Sequence, residues 1–132
     1  MISISKDVLD QIIAHAKKNL PNEACGYLAG NNGLVTLSYP LTNIDHSPEH
    51  FSFDPAEQFQ TVKDARNIGL QVIANYHSHP ETPSRPSQED IRLAFDPNIL
   101  YFIISLAQPE PVVKAFQIIN GTVTNEEINI LS

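Results

Sequence analysis

Leu70-Gln71-Val72-Ile73-Ala74-Asn75-Tyr76-His77-Ser78-His79-Pro80 runs directly into Glu81-Thr82-Pro83-Ser84-Arg85-Pro86-Ser87-Gln88-Glu89-Asp90. The apolar first part reads as a strand. Its end carries imidazoles at i and i+2, and side chains two apart on an extended chain share a face. His77 and His79 therefore project together, while Ser78 points to the other side. Prolines stiffen the loop that follows. Ser87 to Asp90 then reads as a capping box opening a helix, with Ser87 at N-cap and Asp90 at the third helical position. Imidazole is the commonest nitrogen donor for zinc, and a catalytic zinc takes three protein ligands and keeps one position open. Asp90, in the first turn after the loop, is the candidate third ligand.

Outward from this stretch the chain divides into regular elements. On the N-terminal side, Ser5 to Lys18 reads as a helix with Val8, Leu9, Ile12, Ile13 and Ala16 on one face. Ser5 caps it, and Pro21 prevents its continuation. Ala24 to Ala29 and Leu34 to Tyr39 form a hairpin around Gly30-Asn31-Asn32-Gly33. Pro40 to His50 is a polar loop without periodicity, of the length that tends to carry function. Phe51 and Phe53 follow as a short strand. Asp54-Pro55-Ala56-Glu57 opens a second helix as a capping box, and Gly69 ends it. On the C-terminal side a short helix runs from Ser87 to about Phe95. Ile99 to Leu106 is nearly all apolar, as in a strand buried on both faces. Val112 to Ile119 and Thr122 to Ile130 close the chain as a hairpin around Asn120-Gly121. The expected fold class is α/β: residues 1–132 form one domain with a mixed β-sheet and helices packed on it.

The 132 residues carry 8 Lys+Arg against 15 Asp+Glu, a formal net charge of -7, with no basic stripe. Such a chain repels a phosphate backbone on average, which argues against nucleic acid as a partner. One cysteine, Cys25, excludes an internal disulfide and a paired-cysteine metal knuckle. It reads as a small buried apolar residue. There is no signal-peptide pattern and no apolar run approaching a membrane span, so the expected location is the cytoplasm, away from membranes.

His77-Ser78-His79-Pro80, with Ser87 eight positions after His79 and Asp90 three further on, resembles the signature of the JAMM (MPN-plus) zinc metalloproteases. That pattern is an upstream glutamate, then His-[Ser/Thr]-His, seven residues, Ser, two residues, Asp. The glutamate matches Glu23 in Pro21-Asn22-Glu23-Ala24-Cys25-Gly26. The resemblance spans nearly the whole chain and is to the compact prokaryotic type. It implies the JAMM/MPN architecture, of the cytidine-deaminase-like kind. It implies that His77, His79 and Asp90 hold Zn2+, whose water has its pKa lowered to about 7. Glu23 is then the general base and Ser87 the stabiliser of the oxyanion. The implied reaction is hydrolysis of a peptide or isopeptide bond after the C-terminal Gly of a ubiquitin-like or sulfur-carrier protein ending in Gly-Gly. Asn43, His46 and Ser78 are further substrate-contact candidates, and the protein is expected as a monomer or homodimer. Two rival readings are a catalytically silent MPN-type protein-binding scaffold, which characteristically lacks metal residues, and a RadC-like domain. The latter usually has Asn where Ser78 stands, and an upstream DNA-binding helical segment.

Overall fold

The computed structural model describes residues 1–132. Its elements are β1 (Ile2–Ser5), α1 (Lys6–Lys18), β2 (Cys25–Asn31), β3 (Leu34–Leu41), α2 (Pro55–Asn67), β4 (Gln71–His79), α3 (Gln88–Arg92), β5 (Leu100–Ser105), β6 (Val112–Ile119), β7 (Thr122–Glu126) and β8 (Ile128–Leu131). They form one mixed sheet in the order β7-β6-β5-β4-β2-β3-β1-β8. No helix is long and apolar enough to cross a membrane.

Local chemistry accounts for most of these boundaries. Ser5 caps α1 by accepting from the Val8 N–H, and Asp54 caps α2 by accepting from Ala56 N–H. The expected capping box at α2 is not made. Glu57 reaches instead to Thr42, accepting from its N–H and hydroxyl at 2.7 and 2.8 Å. Asn32-Gly33 and Asn120-Gly121 both have positive φ and make the tight turns of the two hairpins. Phe51 and Phe53 do not form a strand; a single bridge joins Phe53 to Asn43. Helix α3 ends at Arg92, short of Phe95, and the expected final strand is broken into β7 and β8 at Glu127.

That break has a topological reason. β7 pairs with β6, whereas β8 pairs in parallel with β1, at the far end of the sheet. Only Glu127 separates them, so the sheet curls until its two edges meet. β1, which has no counterpart among the elements expected from sequence, supplies the edge that β8 needs. Helix α1 packs inside the curl: Val8, Leu9, Ile12 and Ala16 join Ile4, Leu28, Val35, Ala74, Tyr76, Phe102 and Ile104 in one core. Each large aliphatic side chain buried there stabilises the fold by roughly 1.5–3 kcal/mol. A second cluster of Tyr101, Ile103, Phe116 and Ile118 lies on the other face, packed against Ile91 and Ala94. β5 is thus buried on both sides, as its composition implies.

The period-2 alternation of β4 sorts its residues between these faces. Ala74 and Tyr76 point into the α1 core. His77 and His79 point the opposite way, toward the face covered by α2 and α3.

Candidate metal centre

Strand β4 delivers two imidazoles at its end, and α3 returns to meet them. His77 Nε2 and His79 Nε2 lie 3.1 Å apart, and each lies 3.1 Å from Asp90 Oδ2. These three donors form the one cluster of its kind in the molecule. A tetrahedral ion bound at about 2.0–2.1 Å separates its ligands by about 3.3 Å. The residues therefore fit a zinc ion. Two imidazoles and one carboxylate are also the donor types that a catalytic zinc takes, with a fourth position left open.

The surroundings hold this triangle in place. Ser87 and Asp90 make a complete capping box: the Asp90 N–H donates to Ser87 Oγ at 3.0 Å, and the Ser87 N–H donates to Asp90 Oδ2 at 2.9 Å. The cap and the candidate ligand are thus one arrangement. The Ser87 hydroxyl accepts within the cap and keeps its own proton to donate, and the residue is exposed. The His79 Nδ1–H donates to the Pro83 carbonyl at 2.9 Å, which leaves its Nε2 lone pair free. The proline loop carrying that carbonyl is pinned to β5. Ser84 Oγ–H donates to Ile103 O at 2.7 Å, and Ser105 Oγ–H donates to Thr82 O at 2.6 Å. Phe51 stacks on His77 with ring centroids 4.6 Å apart.

Glu23 reaches the same face by register. Cys25 pairs with His77 and Gly26 with Tyr76; extending this antiparallel ladder by two residues sets Glu23 opposite His79. Hydrogen bonds at the intervening position confirm it. The Ala24 N–H donates to Ser78 Oγ at 2.7 Å, and the Ser78 N–H donates to Ala24 O. Gly26 allows the close strand packing here, since a Cβ at that position would lie 2.5 Å from the Tyr39 carbonyl oxygen. Glu23 is buried, and its Oε1 has no hydrogen-bond partner in the chain.

Electrostatics distinguish the two carboxylates. Burial raises the Glu23 pKa to about 8; His79 opposes the shift, while Asp90 and Glu89 add to it. Burial acts on Asp90 in the same direction, but the adjoining imidazoles of His77 and His79 and the Ser87 N–H outweigh it and hold its carboxyl well below the usual carboxylate range. Burial lowers the pKa of His77, despite the pull of Asp90. For His79 burial is outweighed by Asp90 and the Pro83 carbonyl, and its pKa rises.

The structure thus gathers Glu23, His77, His79, Ser87 and Asp90. A groove of about 360 Å³ opens onto His77 and Asp90, walled by Tyr27, Phe51, Phe53 and Leu93. Phe95 stands 81% exposed at its rim. None of the three substrate-contact candidates lines that groove. Ser78 is fully buried and ties β4 to the Glu23 segment. Asn43 is buried under the 43–53 loop with its amide engaged inside the chain. His46 is exposed and lines a second, polar hollow of about 400 Å³ together with Glu23, Asn43, His15 and Asn22. Cys25, facing His77 across the ladder, has no exposed surface. Sequence reasoning passed over Phe51, Ser84 and Ser105. Phe51 had a local signal in its alternation with Phe53, whereas the serines act only through partners far along the chain.

An MPN-type α/β domain with a His-His-Asp centre is the class that this fold and site define. Residues 5–119 match the family model described as prokaryotic homologs of the JAB domain. The chain is 31% identical over 134 residues to the CysO-cysteine peptidase of Mycobacterium tuberculosis (strain ATCC 25618 / H37Rv), covering 99% of this chain and 92% of the relative. It is 32% identical over 111 residues to the desampylase of Haloferax volcanii, covering 79% and 80%. Among solved structures, protein DSY2949 from Desulfitobacterium hafniense superposes with a TM-score of 0.92 at 52% identity, covering 99% of this chain and 93% of that one. This chain belongs to the prokaryotic JAB (JAMM) family and is a peptidase or isopeptidase of that type.

Proposed function

We propose that the protein hydrolyses the amide bond after the C-terminal glycine of a ubiquitin-like or sulfur-carrier protein, with zinc held by His77, His79 and Asp90. The observation that carries this reading is the 3.1 Å triangle of two imidazole nitrogens and one carboxylate oxygen, set beside a buried glutamate. The substrate class comes from the relatives: one is named for a carrier–cysteine conjugate and another as a desampylase.

When bound, zinc supplies a Lewis acid and a water of near-neutral pKa. The chain's own residues do the rest. Glu23 takes the proton of the attacking water and passes it to the leaving amine. Burial lifts the proton affinity of its carboxyl, which suits it to receive the proton; a dication bound beside it would lower that affinity, which suits it to pass the proton on. Ser87 donates its remaining hydroxyl proton to the oxygen that gains charge. The aromatic walls Tyr27, Phe51 and Phe53 exclude water from the groove, and an extended glycine tail lets backbone approach His77 and Asp90 closely. No covalent enzyme intermediate is needed. A silent scaffold would not require a complete ligand set together with a buried base.

The test uses purified zinc-loaded protein and several carriers fused through their C-terminal glycine to an amino acid or peptide. Mass spectrometry should find cleavage directly after that glycine, abolished by chelation and restored by zinc. No cleavage of any carrier would overturn the proposal.

A further inference from the structure

Asn43 has every hydrogen-bonding group of its amide occupied. Its Nδ2 donates to Glu23 O and His50 O, both at 3.1 Å, with Ser47 O further off at 3.5 Å. Its Oδ1 accepts from the Asp45 N–H at 3.0 Å and the Ser52 N–H at 3.3 Å. One buried side chain thus joins both arms of the 43–53 loop to the peptide of Glu23. The same loop returns a second bond, since the Glu23 N–H donates to Ser47 O at 2.9 Å. It also carries Phe51 onto His77. No other side chain bonds the backbone of Glu23. Its carboxyl, with Oε1 unpartnered, has no side-chain clamp on that oxygen and depends on its backbone for its position.

We infer that Asn43 is a positioning residue for the hydrolytic reaction: its amide fixes the peptide of Glu23, and through it the carboxyl of the general base, while setting the loop that walls His77. This rests on the reading of Glu23 as the base. It assigns the 43–53 loop to aligning the machinery at this point rather than to contacting substrate. Misplacing a reacting group by about 1 Å costs of order 100-fold in rate. The metal ligands come from β4 and α3, so zinc binding does not depend on Asn43.

The test compares wild-type, N43D and N43A proteins, each loaded with zinc, on a carrier fusion. N43D keeps the side-chain volume and an acceptor oxygen but removes both donors; it carries the test if N43A does not fold. The expected result is a fall in kcat of roughly 10- to 100-fold with KM changed less than threefold and zinc affinity retained. Hydrogen exchange at the Glu23 amide should quicken, with exchange at His77 unchanged. A raised KM at unchanged kcat would overturn the inference in favour of substrate contact. Lower stability with unchanged kcat per zinc-loaded site would overturn it in favour of a purely structural role. E23Q measured alongside separates the two levels. If E23Q is inactive and N43D has normal kcat, the inference fails and the assignment of the base stands. If E23Q is active, that assignment fails and the inference with it.

Discussion

Replacing Ser78 by Ala removes one oxygen atom from the middle of the motif while touching no metal ligand. Ser78 is fully buried, and its Oγ is the acceptor for the Ala24 N–H at 2.7 Å. Ala24 is itself 1% exposed, so water cannot replace the lost partner. Leaving a buried donor unsatisfied costs about 1–3 kcal/mol. At about 2.1 cal/mol/K per residue, unfolding of the 132-residue chain carries an entropy near 0.28 kcal/mol/K, so 2 kcal/mol lowers Tm by about 7 °C. Differential scanning calorimetry of wild-type and S78A proteins in the zinc-loaded form measures this directly. Ser38→Ala serves as control, because its hydroxyl bonds Gln11 at the surface and should matter by less than about 0.5 kcal/mol. Zinc stoichiometry should not change, since His77 and His79 lie on the opposite face of the strand. A Tm for S78A within 1 °C of wild type would refute the argument that this serine ties the ligand strand to the segment bearing Glu23.

Other outcomes follow from neighbouring groups. Ser84→Ala or Ser105→Ala frees the loop that presents the Pro83 carbonyl to His79, and should weaken zinc binding by about 10–100-fold in a chelator competition. Cys25 is fully buried, and burial, with Glu57 and Glu23 nearby, pushes its thiol up to about 12. Native protein should therefore resist iodoacetamide at pH 8, while unfolded protein reacts at once. His15 bonds Tyr76 Oη at 2.7 Å, and burial, then Lys18, lower its pKa below 6.5. A lowered value means that the unfolded chain binds the proton more readily. The stability is complete above pH 6.5 and declines as pH falls through the folded value. His15→Gln should flatten that part of the Tm–pH profile relative to wild type, and an unchanged difference between the two proteins across pH 5–7.5 would count against it.

How much of this was legible beforehand depends on where the information sits. The candidate metal triad is readable because strand geometry puts His77 and His79 on one face, and a capping box brings Asp90 back to them. Both are local effects. Glu23 has no such local signal: Pro21-Asn22-Glu23 reads as ordinary surface after a helix, and only the spacing resemblance singles it out. Its placement depends on the ladder between β2 and β4, a pairing between residues some fifty positions apart. β1 went unread because Ile2 and Ile4 give only two alternations. The division of the last strand was hidden because β8 selects its partner at the opposite edge of the sheet. Asn43 shows the same limit from the other side. Its polar character invites a surface role, but five backbone groups converge on it once the loop folds.

In the proposed reaction the base, Glu23, is separate from the residues that hold zinc. The most direct test is to measure zinc stoichiometry and carrier-fusion cleavage together for wild type and Glu23→Gln. The expected result is one zinc per chain in both, with cleavage after the terminal glycine lost by at least 100-fold in the variant. Cleavage by E23Q at the wild-type rate, with zinc bound, would contradict the account.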